Sequence, residues 1–126
     1  MKKWWLVLLM TLGMAFAADV VWQKDFDSAM KIAKKEHRMV MVFVEGEHCR
    51  WCKKMRYRTL SDALVVKKLA AFVNVRVDRT DRKVMSKLPQ IEGVPTIFFL
   101  SSEGKIVRKV TGYYPAGDFL SFLYAF

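Results

Sequence analysis

Cys49-Arg50-Trp51-Cys52 places the only two thiols of the chain three positions apart. Two intervening residues at the start of a helix let both sulfurs meet while the first alone stays exposed, a geometry suited to reversible disulfide chemistry. The thiolate is the nucleophile in thiol-disulfide exchange, and the amides and partial positive charge of a helix N-terminus stabilise it. Arg50 and Lys53 are the nearest cations in sequence; Lys54, Arg56 and Arg58 extend the basic run, and no acid interrupts 49–58. Charges farther than about 8 Å are screened at physiological ionic strength, so the distal ones read as a solvated helix face. Cys49 is therefore expected to ionise more readily than a free thiol, and Cys52, one turn inside, less readily.

Other uses of the pair fit less well. A disulfide closing so short a loop constrains the unfolded chain little, so a purely structural bridge is a poor explanation. Zinc requires four ligands; beyond two thiolates the chain offers only His37 and His48, neither at zinc-finger spacing, and no metal is expected. A c-type haem requires histidine after the second cysteine, where Lys53 stands. Met39, Met41 and Met55 fit core positions better than a copper site. His48 is placed to tune Cys49 or to form part of a partner-binding rim, whereas His37 reads as a cation at a helix C-terminus.

Positioning the pair is the task of the surrounding elements. Phe26, Ala29, Met30 and Ala33 recur at helical spacing between Asp25, a candidate N-cap, and His37. Met39 to Val44 is a short valine-rich apolar run, as expected of a strand buried on both faces, and Gly46 breaks it. A helix over 49–58 follows, which sets the cysteines at a strand-to-helix junction. Ser61 or Asp62 caps a second short helix to Leu69, and 71–77 reads as a strand ending at Asp78. A third helix over 81–88 precedes Gly93-Val94-Pro95-Thr96 and the apolar strand 97–100. Turn residues 101–104 lead to a hairpin partner over 105–111, and Pro115 with Phe119, Leu120, Phe122 and Leu123 marks a closing helix. Val20 to Trp22 is a candidate edge strand. This order predicts an α/β fold: a mixed central sheet flanked by helices, with parallel crossovers and a C-terminal β-hairpin and helix.

Residues 1–17 read as a secretory signal: a Met1-Lys2-Lys3 start, an apolar stretch from Trp4 to Met14, and Ala15-Phe16-Ala17 as the cleavage site. The run is shorter than the roughly 20 residues of a spanning helix, which favours cleavage over anchoring. Cleavage would leave 18–126, 109 of the 126 residues, as a single domain with net charge +8 in place of +10 once Lys2 and Lys3 are lost. That charge reads mainly as a soluble surface. An exported chain without a recognised nucleic-acid motif is not expected to bind nucleic acid.

Met41-Val42-Phe43-Val44 before the cysteine pair, and Gly93-Val94-Pro95-Thr96 about forty residues later, resemble the thioredoxin superfamily over nearly all of 18–126. Within it, Thr59-Leu60-Ser61-Asp62 and Val110-Thr111-Gly112-Tyr113 resemble exported proteins of the SoxW type and the C-terminal periplasmic domain of DsbD. The resemblance implies a thioredoxin-like fold and a periplasmic protein-disulfide oxidoreductase. Cys49 and Cys52 would be catalytic, and Arg50, Trp51, Val94 and a cis Pro95 would contact substrate. It further implies protein disulfide or dithiol clients, a membrane electron donor, no cofactor and a monomer. Thioredoxin itself keeps a buried aspartate and a lysine where this chain has Phe43 and Asn74, so Glu45 and Glu47 become the candidate proton acceptors. A Cu(I) carrier or a non-catalytic docking module of the same fold is the alternative.

Overall fold

The computed structural model describes residues 19–126, so the signal segment read over 1–17 lies outside the described residues. Five strands form one sheet in the order β1-β3-β2-β4-β5. The central strand β2 (Val40–Glu45) pairs in parallel with β3 (Val73–Asp78) and antiparallel with β4 (Thr96–Leu100). The edges are β1 (Trp22–Gln23), parallel to β3, and β5 (Ile106–Thr111), antiparallel to β4. This is the mixed sheet with a C-terminal hairpin that the order of apolar runs predicts.

Alternation along the strands divides the core in two. Met41 and Phe43 of β2, with Ile97 and Phe99 of β4, face a layer built by α2 (Arg50–Lys54), α3 (Ala63–Leu69) and α5 (Ala116–Leu123). Val40, Val42 and Val44, with Phe98 and Leu100, face α1 (Phe26–Glu36), whose Phe26, Ala29 and Ala33 are its buried stripe. With both faces covered, β2 from Val40 to Val44 and β4 from Ile97 to Leu100 need apolar side chains, which is why they appear in the sequence as unbroken runs.

The helix starts follow their caps. Asp25 accepts the Ser28 N–H at 2.8 Å to open α1. Of the two candidates for α3, Asp62 is the cap: its carboxylate accepts the N–H groups of Leu64 and Val65 at 3.0 and 3.2 Å. Ser61 bonds back to the Tyr57 carbonyl instead. Asp62→Ala is expected to cost about 1 kcal/mol, read as a lower urea midpoint with an unchanged slope.

Several boundaries differ from the sequence reading. The helix after Cys49 is regular only to Lys54; Met55–Thr59 widens into a π-helical turn. β3 starts at Val73, because the Ala71 and Phe72 amides still bond to the Lys68 and Leu69 carbonyls. The third helix, α4 (Arg82–Met85), is shorter than 81–88. The edge strand, Trp22–Gln23, starts two residues later and ends one residue later than expected.

Candidate active site

The site is built where β2 ends. Gly46 follows at once, and a Cβ there would stand 3.2 Å from Val94 Cγ2 and 3.1 Å from Arg79 Nε. The missing side chain lets the Val94 loop and Arg79 close on the turn that leads to the cysteines. His48 takes the left-handed region at φ 57°, a conformation that costs a non-glycine residue roughly 1 kcal/mol, and so turns the chain into α2. Cys49 is then the N-cap of α2: its backbone is extended, and its sulfur accepts the Cys52 N–H at 3.1 Å.

Cys49 and Cys52 form a disulfide with their Cα atoms 5.2 Å apart. Their environments are unequal. Cys52 is 1% exposed within the core that holds Phe43 and Met55, whereas Cys49 is half-buried at the surface. Cys49 Sγ lies 3.7 Å from the Val94 carbonyl oxygen, which brings the Val-Pro segment against the more exposed end of the pair. The Val94–Pro95 peptide is cis. Thr96 Oγ1 donates to the Gly93 carbonyl at 2.7 Å, and the Gly112 N–H donates to the Pro95 carbonyl at 2.8 Å. The segment is thus held from both sides.

A shallow groove of about 330 Å³ runs beside the disulfide, lined by Trp51, Val94, Pro95, Gly112 and Tyr113. Trp51 remains 50% exposed, its ring 5.5 Å from that of Tyr113. Lys54 Nζ stands 4.7 Å from the Trp51 ring centre and 4.9 Å from the Tyr113 ring centre, within cation–π range of both. The buried Thr59 hydroxyl, in the π-helical turn, donates to the Tyr114 carbonyl and ties the end of the cysteine helix to the loop that carries Tyr113.

The structure brings Cys49, Cys52, Trp51, Val94 and Pro95 together, and Arg50 is exposed in the first turn of α2. The two carboxylates have other surroundings. Glu45 receives a bidentate bond from Arg76, at 2.7 and 2.8 Å, and Arg56 Nε approaches it to 3.6 Å, beyond hydrogen-bond reach. That bond holds the Arg76 guanidinium above its usual pKa. The side chain of Glu47 is 84% exposed beside His48. Phe43 and Asn74 are both buried, and the Asn74 amide donates to the Leu69 and Phe72 carbonyls. Among the described residues no three His, Cys, Asp or Glu side chains are grouped to hold a metal ion.

Sequence reasoning gave no role to Tyr113, Thr59 or Arg79. Tyr113 was visible as part of Val110-Thr111-Gly112-Tyr113, but its approach to Trp51 is a contact across 62 positions that no local pattern encodes. Arg79 carried no signal.

A fold of this topology with a cysteine pair at the N-terminus of α2 defines a thioredoxin-like disulfide oxidoreductase. The thioredoxin-like domain family model matches residues 26–126, and the chain belongs to that family. It is 31% identical over 99 residues to the thiol:disulfide interchange protein DsbD of Actinobacillus pleuropneumoniae, a match covering 74% of this chain and 17% of that protein. The chain thus spans about a sixth of the length of that curated relative. Among solved structures, a thioredoxin from Thermus thermophilus superposes with a TM-score of 0.74 at 29% identity, over 85% of this chain and 86% of that one. The oxidised C-terminal domain of DsbD from Neisseria meningitidis shares the fold, with a TM-score of 0.64 at 24% identity over 79% and 90% of the two chains. Among the described residues no helix is long and apolar enough to cross a membrane.

Proposed function

We propose that this chain is an exported protein-disulfide reductase of the periplasm, in which Cys49 attacks and Cys52 resolves. The observation that carries this reading is the asymmetry of the pair: Cys49 caps α2 at the surface beside Val94, while Cys52 is enclosed in the core. The reduced Cys49 thiolate attacks one sulfur of a client disulfide, forming a mixed disulfide and releasing the other client sulfur as a thiolate. Cys52, giving up its proton, then attacks the Cys49 sulfur. The second client thiolate leaves, and both client sulfurs take up protons. The client gains two electrons and two protons, and the Cys49–Cys52 disulfide is formed.

Docking falls to the groove. An extended client segment can pair with the Val94 backbone as an added strand, and Trp51 and Tyr113 supply apolar contact beside it. Pro95 has no N–H, so no further donor is set against the sulfurs. Arg50 and the helix N-terminus favour the thiolate form of Cys49. Glu47 is the exposed carboxylate of the approach loop, while both oxygens of Glu45 already accept from Arg76. Regeneration requires a dithiol donor, and the sequence resemblance implies a membrane protein in that role. Export rests on the charged, apolar and small-residue pattern of 1–17.

The test is turnover of a protein disulfide. Catalytic amounts of the chain should accelerate dithiothreitol-driven reduction of insulin well above the uncatalysed rate. A chain that cycles with dithiothreitol yet leaves insulin reduction unchanged would contradict the proposal.

A further inference from the structure

We propose that the rim of the Cys49 groove selects client segments carrying carboxylates within a few residues of the reacting cysteine, an inference that rests on the exchange reading above. The groove itself is apolar and would accept many segments, so discrimination has to come from its edges. Those edges are cationic from two separate parts of the chain. Arg50 is exposed at the start of α2, next to Trp51, and Lys54 is held against the groove wall by the Trp51 and Tyr113 rings. Arg79 arrives from the loop after β3, its Nε 3.1 Å from the same would-be Gly46 Cβ that stands 3.2 Å from Val94 Cγ2.

Among the described residues none of these three cations is in an ion pair. The nearby acids do not cancel them. Glu45 is occupied by Arg76, and Asp78, which precedes Arg79 in the chain and accepts from Thr80, offsets part of the Arg79 charge, so that Asp78 and Glu47, exposed beside His48, stand against three cations. Lys54 is the most selective element of the rim. A lysine free in solvent loses side-chain entropy when it meets a carboxylate, whereas two aromatic rings already confine this one. Its position at an apolar wall also weakens dielectric screening relative to open water. A client bringing Asp or Glu beside its cysteine gains attraction during encounter and in the mixed disulfide, while one bringing Lys or Arg meets like charge.

The experiment uses the reduced protein and three peptides with one internal disulfide, identical except for Glu, Gln or Lys flanking the reacting cysteine. Bis(2-hydroxyethyl) disulfide serves as an uncharged small probe. At about 0.01 M salt the Glu peptide should be reduced about tenfold faster than the Lys peptide. That ratio should fall below about threefold at 1 M salt, where the screening length is about 3 Å. Neutralising the rim with Lys54→Gln and Arg79→Gln together should lower the low-salt ratio at least about threefold. Equal rates for the Glu and Lys peptides, or a ratio indifferent to both salt and the double substitution, would overturn the inference and leave the exchange reading standing. Failure of the parent protein to react with any peptide or with bis(2-hydroxyethyl) disulfide would instead remove the exchange reading, and the inference with it.

Discussion

Cys52→Ser should accumulate covalent complexes with client proteins that disappear on reduction, and Cys49→Ser should accumulate almost none. The expectation follows from the unequal environments of the sulfurs. A client disulfide can reach Cys49, half-buried beside the Val94 carbonyl, but Cys52 is only 1% exposed. With serine at 52 the mixed disulfide forms normally and the second displacement has no nucleophile, so the intermediate persists. With serine at 49 the remaining thiol is enclosed and lacks the N-terminal amides that favour its ionised form. Turnover should be abolished in both variants, so trapping separates the two roles. The same asymmetry predicts that iodoacetamide modifies Cys49 first in the reduced parent protein near neutral pH. Equal trapping by the two variants, or faster modification of Cys52, would reverse the assignment.

Phe43→Ala should cost about 3–5 kcal/mol, a large part of the roughly 5–15 kcal/mol available to a domain of this size. Phe43 is fully buried at the centre of the sheet, its ring 6.2 Å from that of Trp22 and in the same core as Cys52 and Met55. The sheet and the cysteine helix enclose that position from both sides, so the cavity has little room to collapse. Urea denaturation of the oxidised variant measures the loss as a fall in midpoint; a loss below about 1 kcal/mol would mean that this face is not closely packed.

Much of the scaffold was legible because strong local rules act on it. β2 had to be an unbroken apolar run, since helices cover both of its faces, and Asp25 and Asp62 signalled helix starts through their capping chemistry. The cysteine pair and Gly93-Val94-Pro95-Thr96 could each be recognised alone; their meeting, with Cys49 Sγ 3.7 Å from the Val94 carbonyl, is a consequence of β2 and β4 being neighbours. What escaped the sequence has physical reasons. A π-helical turn changes the hydrogen-bond step without changing composition, so Met55–Thr59 looked like more α-helix. The Glu45 bond to Arg76 depends on the register of two parallel strands, in which Arg76 lies opposite Phe43 and Glu45 opposite Asp78. Without that register Glu45 reads as a free carboxylate. Lys54 likewise reads as one cation among many until Tyr113 arrives from the far end of the chain to confine it.

The reduction potential of the Cys49–Cys52 couple tests the central claim most directly, because about 30 mV in a two-electron couple corresponds to about 1.4 kcal/mol in the exchange equilibrium. Equilibration against dithiothreitol or glutathione buffers, read by thiol alkylation, should give one reversible two-electron transition at or below about −220 mV, within the range of reducing dithiol proteins. A transition near about −120 mV, the range of a strong oxidant, would contradict the reducing direction, and a pair that shows no reversible transition would contradict disulfide exchange itself.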